Sequence, residues 1–145
     1  MKWRPPWARM ALALLGLAAL TPAGGRAAPA PWPGDPWPGS PALIRLYLLP
    51  AGRADGERLA RDLALRPEQV AELRELARTE AAAGQAGRQV IGRAEAARFN
   101  AELAALRAEK DRRVRAALGE QYPAFRAWLS GWWAEQVSAA RQRVH

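Results

Sequence analysis

The chain contains no cysteine, and its single histidine, His145, is the last of its 145 residues. The first absence excludes disulfide staples and thiol redox chemistry. The second leaves no imidazole in a fixed position to activate a nucleophile, so a Ser-His-Asp arrangement cannot be built. Hydroxyls are scarce as well: after residue 27 the serines and threonines are Ser40, Thr79, Ser130 and Ser138. A metal site would have to use carboxylates alone, because thiolate and internal imidazole ligands are missing. The stretch "AGQAG" (83–87) has no strand before it and no lysine after it, which excludes a phosphate-binding loop. The carboxylates alternate with arginines on faces that should be solvated, the ordinary pattern of surface helices rather than of a catalytic pair. The sequence therefore predicts no enzyme, no cofactor and no metal. Lysine is nearly missing too, with two residues against 20 arginines. Arginine keeps its charge and stacks on apolar and aromatic surfaces better than lysine.

What is present begins with a leader-like pattern. "MKWRPPWARM" carries Lys2, Arg4 and Arg9, the apolar run Ala11–Leu20 follows, and small residues come next in "TPAGGRAAPA". Basic, apolar and small regions in that order mark a secretory signal peptide, with cleavage expected after Ala23 or Ala27. The apolar run is well short of the roughly 20 residues needed to span a bilayer, and an uncleaved anchor is the alternative. No cysteine follows the run, so a lipoprotein signal is excluded. Removing residues 1–27 takes four basic side chains and no acidic ones, so +8 becomes 18 minus 14, or +4. A periplasmic or secreted protein is expected. With arginines and glutamates interleaved, so small an excess does not point to a specific nucleic-acid partner.

Residues 29–41 read "PAPWPGDPWPGSP", with the short repeat PWPG. Proline this dense favours an extended or turn-rich segment. It is either a spacer or a docking arm in which Trp32 and Trp37 contact a partner or the cell envelope. "SPALIRLYLLP" follows, and Ser40 as N-cap with Pro41 at the first helical position predicts a short helix. A strand there would find no partner elsewhere in the chain. From Asp55, the next expected N-cap, the composition turns to Ala, Leu, Arg, Glu and Gln, all helix formers.

In "LALRPEQVAELREL" (63–76) a proline interrupts a helical pattern. With Arg66 as N-cap, Pro67 sits where its missing N–H costs nothing. Glu68 then favours the helix dipole, Gln69 is placed to reach back to the cap, and Leu65 and Val70 form a staple pair. Pro67 therefore opens a helix, although Arg66 is a poor capping residue. That helix is expected to reach about Ala83, with a break at Gly84–Gly87. A long helix is expected from Arg88 to Leu118, closed by Gly119, with Lys110 interrupting its apolar stripe. A last helix opens near Pro123 and buries Phe125, Trp128, Leu129 and Trp132. The expected organisation is a signal peptide (1–27), a Pro/Gly/Trp-rich linker (28–41), an all-helical domain (42–140) and a frayed tail (141–145).

"LRPEQ" resembles the L-T-x-x-Q motif of the Spy and CpxP family of periplasmic helical proteins. Leu65, Pro67, Glu68 and Gln69 carry the first copy, with Arg66 where the family has threonine. Leu118, Glu120 and Gln121 in "LGEQYPAFRAW" form a degraded second copy, one residue short. The Arg/Glu-rich segment "FNAELAALRAEKDRRVRAAL" is also similar to the family's long helix. The resemblance spans roughly Leu59 to Trp133. It implies an all-α helical hairpin or small bundle, an antiparallel homodimer, and a concave surface that binds unfolded or misfolded exported proteins without ATP. On that expectation the candidate client contacts are Arg98, Phe99, Arg107, Arg112 and Arg115, with Phe99 equally suited to packing within the chain. Methionine and histidine, used by metal-responsive relatives, are missing from the body of the chain, so the resemblance points to chaperone-like or adaptor-like members. A structural envelope protein docking through its tryptophan arm is the competing expectation.

Overall fold

The computed structural model describes residues 35–144. The expected signal peptide, the first half of the Pro/Trp segment with Trp32, and His145 lie outside the described residues. The described residues form helices and no strand, so the chain is all-α as the composition predicted. Five α-helices follow in order: α1 (Ala42–Tyr47), α2 (Arg53–Asp62), α3 (Pro67–Gly87), α4 (Arg93–Leu118) and α5 (Tyr122–Arg143). Short 3₁₀ turns at Pro50–Gly52 and Gly119–Gln121 link α1 to α2 and α4 to α5.

A six-residue helix such as α1 is too short to persist alone. It holds because it lies at the centre of the core. Leu43 and Leu46, one turn apart, are at most 1% exposed, as are Leu59 of α2, Leu73 of α3 and Phe125 and Leu129 of α5. Each such side chain contributes about 1.5–3 kcal/mol by leaving water. The start of α2 rests directly on the backbone of α1. A methyl group at Gly52 would lie 1.7 Å from the Arg45 carbonyl oxygen, and one at Gly56 would lie 2.6 Å from that of Leu46. Only glycine permits this approach.

The α5 helix returns antiparallel to α2. Trp128 donates its indole N–H to Asp62 at 2.9 Å, and Trp132 donates to Asp55 at 3.0 Å. Arg58 bridges to Glu135 at 3.2 Å and lies over the Trp128 ring. These contacts join exposed polar tips to apolar ring bodies, a use to which tryptophan is suited.

Several expected boundaries shift. Pro41, not Ser40, is the N-cap of α1; Ser40 is buried with its hydroxyl unpartnered among the described residues. The α2 helix starts at Arg53, so Asp55 lies in its first turn rather than at its cap. The expected break at Gly84–Gly87 is helical, and the chain leaves the helix at Arg88–Gly92 instead. Gly84 is exposed and lies between Ala81–Ala83 and Gln85–Ala86, whose helix preference outweighs a glycine penalty of about 1 kcal/mol. The tail is helical to Arg143, beyond the expected fraying point. Gly119 closes α4 with φ +54, as its position predicted.

Candidate functional site

Two regions of opposite character share α3 and α4. At one end the helices are locked by buried polar contacts. At the other they stand as a bare pair.

The locked end begins at the motif. Gln69 accepts the Arg66 backbone N–H through its side-chain oxygen at 2.8 Å, as its place as the third residue of α3 predicted. Arginine has no acceptor, so the reciprocal side-chain bond that Ser or Thr would make is missing. The amide of Gln69 turns the other way. It donates to the Ala117 carbonyl at 3.1 Å and to the Gln121 side chain at 2.8 Å, while Gln121 donates to the Leu63 carbonyl at 2.7 Å. The glutamines of the two motif copies, 52 residues apart, are thus bonded to each other. Leu65 is half-buried and Leu118 buried beside them, while Pro67, Glu68 and Glu120 are exposed.

The Pro/Trp segment is part of this end. Sequence reading offered a spacer or an arm reaching outward, but residues 35–41 pack on the chain itself. Trp37 is 3% exposed and meets Phe125 edge-on at 5.2 Å between ring centroids. Its indole donates to Asp111 at 2.7 Å. Asp111 also accepts from Tyr122 and Arg115. Burial alone would raise the Asp111 pKa, but these three donors outweigh it and hold the carboxyl below its ordinary value. Asp35 pairs with Arg126.

Lys110 was expected to interrupt the apolar stripe of α4. Instead it lies in the core, 2% exposed, with its ammonium 2.6 Å from Glu80 and 3.3 Å from the Ser40 carbonyl. Trp37 covers it, with the ring centroid 4.9 Å away. Burial lowers the Lys110 pKa, and Glu80 opposes that shift. Sequence reasoning missed this pair. The available signal was the register of α3, in which Gln69, Leu73, Leu76, Ala77, Glu80 and Ala83 are all buried at three- and four-residue spacing.

The bare end is an αα-hairpin arm. From Arg93 to Glu109 no residue of α4 is fully buried. Phe99, Leu103 and Leu106 are half-buried, Val90 likewise, and Ile91 at the tip is 82% exposed. The two helices touch closely where Phe99 faces Gly87; a methyl group there would lie 2.3 Å from the ring. Glu95 caps the tip by accepting the Ile91 N–H at 2.9 Å. No family model, curated protein or solved structure matches the chain.

The five candidate contacts do not form one patch. Arg98 is exposed on the arm, and Phe99 is partly used in hairpin packing. Arg107 is half-buried, with its Nε lacking a partner among the described residues. Arg112 is held by Glu109, whose hydrogen bonds raise its pKa. Arg115 pairs with Asp111 at 2.8 Å and stacks on Tyr122, so it belongs to the locked end. Arg113 bridges to Glu72 on α3 and so ties the two helices together. Among the described residues no cluster of His, Asp or Glu is arranged to hold a metal, and no helix is long and apolar enough to cross a membrane.

Proposed function

We propose that the chain is an exported, ATP-independent chaperone or envelope-stress adaptor that holds unfolded proteins on its hairpin arm. The observation that carries the reading is the arm itself. Half-buried Phe99, Leu103 and Leu106, with exposed Ile91, lie among Arg88, Arg93 and Arg98. Discontinuous apolar surface flanked by guanidinium groups can hold many sequences weakly without requiring one shape. The bonded glutamines of the two motif copies support the likeness to the Spy and CpxP pattern. A homodimer is part of the proposal, because a second copy would cover apolar surface that two helices cannot bury alone. The competing idea of docking through Trp37 loses support, since that ring is in the core.

The test is aggregation suppression. Near-stoichiometric protein should slow precipitation of several chemically unrelated unfolding clients. Ile91→Asp and Arg98→Glu, both at exposed positions, should weaken protection while leaving the melting temperature within a few degrees. Absence of protection across all clients refutes the reading.

A further inference from the structure

We propose that the groove between α1, α2 and α3 binds a fatty-acid-like amphiphile, a carboxylate head carrying a linear alkyl tail. This site is separate from the hairpin arm and does not depend on client binding. The groove has a volume of about 640 Å³, within the range of roughly 300–1,000 Å³ usual for small-molecule sites.

One side is apolar. Leu48, Leu49 and Val70 line it, and Leu48 and Leu49 are 37% and 47% exposed. Both leucines lie between the end of α1 at Tyr47 and the 3₁₀ turn that Pro50 opens, which leaves them on the lip rather than in the core.

The other side offers cationic donors without acceptors. Arg53 at the start of α2 and Arg74 on α3 line the groove, and neither forms an ion pair among the described residues. Arg74 lies over the Tyr47 ring, 6.0 Å from its centroid. A third guanidinium, Arg78, is occupied by Glu75 at 3.3 Å. Glu57 is the one carboxylate on the lining, so positive charge dominates. The Tyr47 hydroxyl is buried beside the groove and has no acceptor among the described residues. Burial pushes its pKa up to about 12 against the pull of Arg74, so it keeps its proton at neutral pH.

Unmatched donors beside exposed leucines select a ligand with acceptors at one end and none along the rest. A carboxylate accepts paired N–H bonds from guanidinium and carries no donor of its own. An alkyl tail suits these walls better than a peptide does. The walls are mostly helical, so their backbone groups are already bonded and offer a peptide backbone few partners. An alkyl chain has no polar groups to leave unpaired.

Isothermal titration of the purified full chain with dodecanoate, below its micellar concentration, tests the proposal. One saturable site per chain is expected. Arg53→Gln/Arg74→Gln should weaken it roughly tenfold or more, since charge-assisted hydrogen bonds are lost. Arg141→Gln, on the exposed end of α5, should leave it unchanged. Dodecyltrimethylammonium, with the same tail and the opposite charge, should bind at least roughly tenfold more weakly. Equal binding of the two amphiphiles, equal binding by the double variant, or uptake that does not saturate at one site overturns the proposal. So does a leucine-ended peptide that binds more tightly than dodecanoate and loses binding on amidation, because the groove would then belong to chain ends.

Discussion

Replacing Glu80 by leucine strands the Lys110 ammonium in the core. The carboxylate 2.6 Å from its Nζ is removed, and the Ser40 carbonyl at 3.3 Å and the Trp37 ring remain. The cost has a ceiling, because the lysine can lose its proton rather than stay charged. From an ordinary pKa of 10.5, deprotonation at pH 7 costs about 5 kcal/mol at roughly 1.36 kcal/mol per pH unit. At pH 9 the same step costs about 2 kcal/mol. Breaking a buried ion pair usually costs roughly 3–5 kcal/mol, which agrees with the neutral-pH ceiling. The sign follows from proton linkage. A cation whose folded pKa lies below its unfolded value binds fewer protons when folded, so stability rises with pH up to the unfolded pKa. Urea unfolding of Glu80→Leu should therefore show a loss of roughly 3–5 kcal/mol at pH 7 that is smaller at pH 9, because without Glu80 the lysine is shifted further down than in the parent. Glu80→Leu/Lys110→Met should recover to within about 1 kcal/mol of the parent or exceed it, since an apolar pair avoids the desolvation cost. A single-variant loss below about 1 kcal/mol, or one that is equal at the two pH values, refutes the buried pair as a charge site.

Trp37→Ala should cost roughly 3–5 kcal/mol in denaturant unfolding, because it empties a buried ring site; a loss under about 1 kcal/mol would return residues 35–41 to the status of a spacer. Gln69→Leu and Gln121→Leu should each cost about 1–3 kcal/mol, and the double variant clearly less than their sum, since each single change strands the other's partners. Tyr47→Phe should leave stability unchanged or raise it, because the hydroxyl lacks a partner among the described residues; in the parent, a tyrosine pKa raised from 10.0 to about 12 means stability present below pH 10 and lost as pH rises toward 12. Spectrophotometric titration should accordingly show one of the two tyrosines ionising late. In hydrogen exchange, amides of Arg93–Ala105 should open well before those of Lys110–Leu118, since only the latter part of α4 contains buried side chains.

Helix type and order were legible because local chemistry decides them. Pro67 opens α3 and Gly119 closes α4, where the chain left no better options. Boundaries set by tertiary contact were not legible. Gly84 and Gly87 look like a break, but α3 continues through them because Phe99 uses the space that Gly87 leaves. Ser40 looks like a cap, but its carbonyl is turned to Lys110 and its hydroxyl is shut in the core. The apolar stripe predicted for α4 also misled in part, because half of it has no third helix to cover it.

The buried polar set explains why the proline segment could not be placed from sequence. Residues 35–41 contain too little apolar surface to choose a partner by hydrophobic pattern alone. Their position is fixed by long-range pairings of Trp37 with Asp111, Asp35 with Arg126, and Ser40 with Lys110, spanning 70 to 91 residues. Each partner alone reads as an ordinary surface charge. Joined, they tie the segment to α4 and α5, while Gln69 and Gln121 tie the start of α3 to the α4–α5 junction. Every one of these contacts lies at the bundle end of α4, and none reaches the arm. Burying charges is a poor route to stability, but mispairing them is costly, so the network selects one arrangement of the bundle. The arm is then free to keep its apolar side chains half-exposed without putting that arrangement at risk.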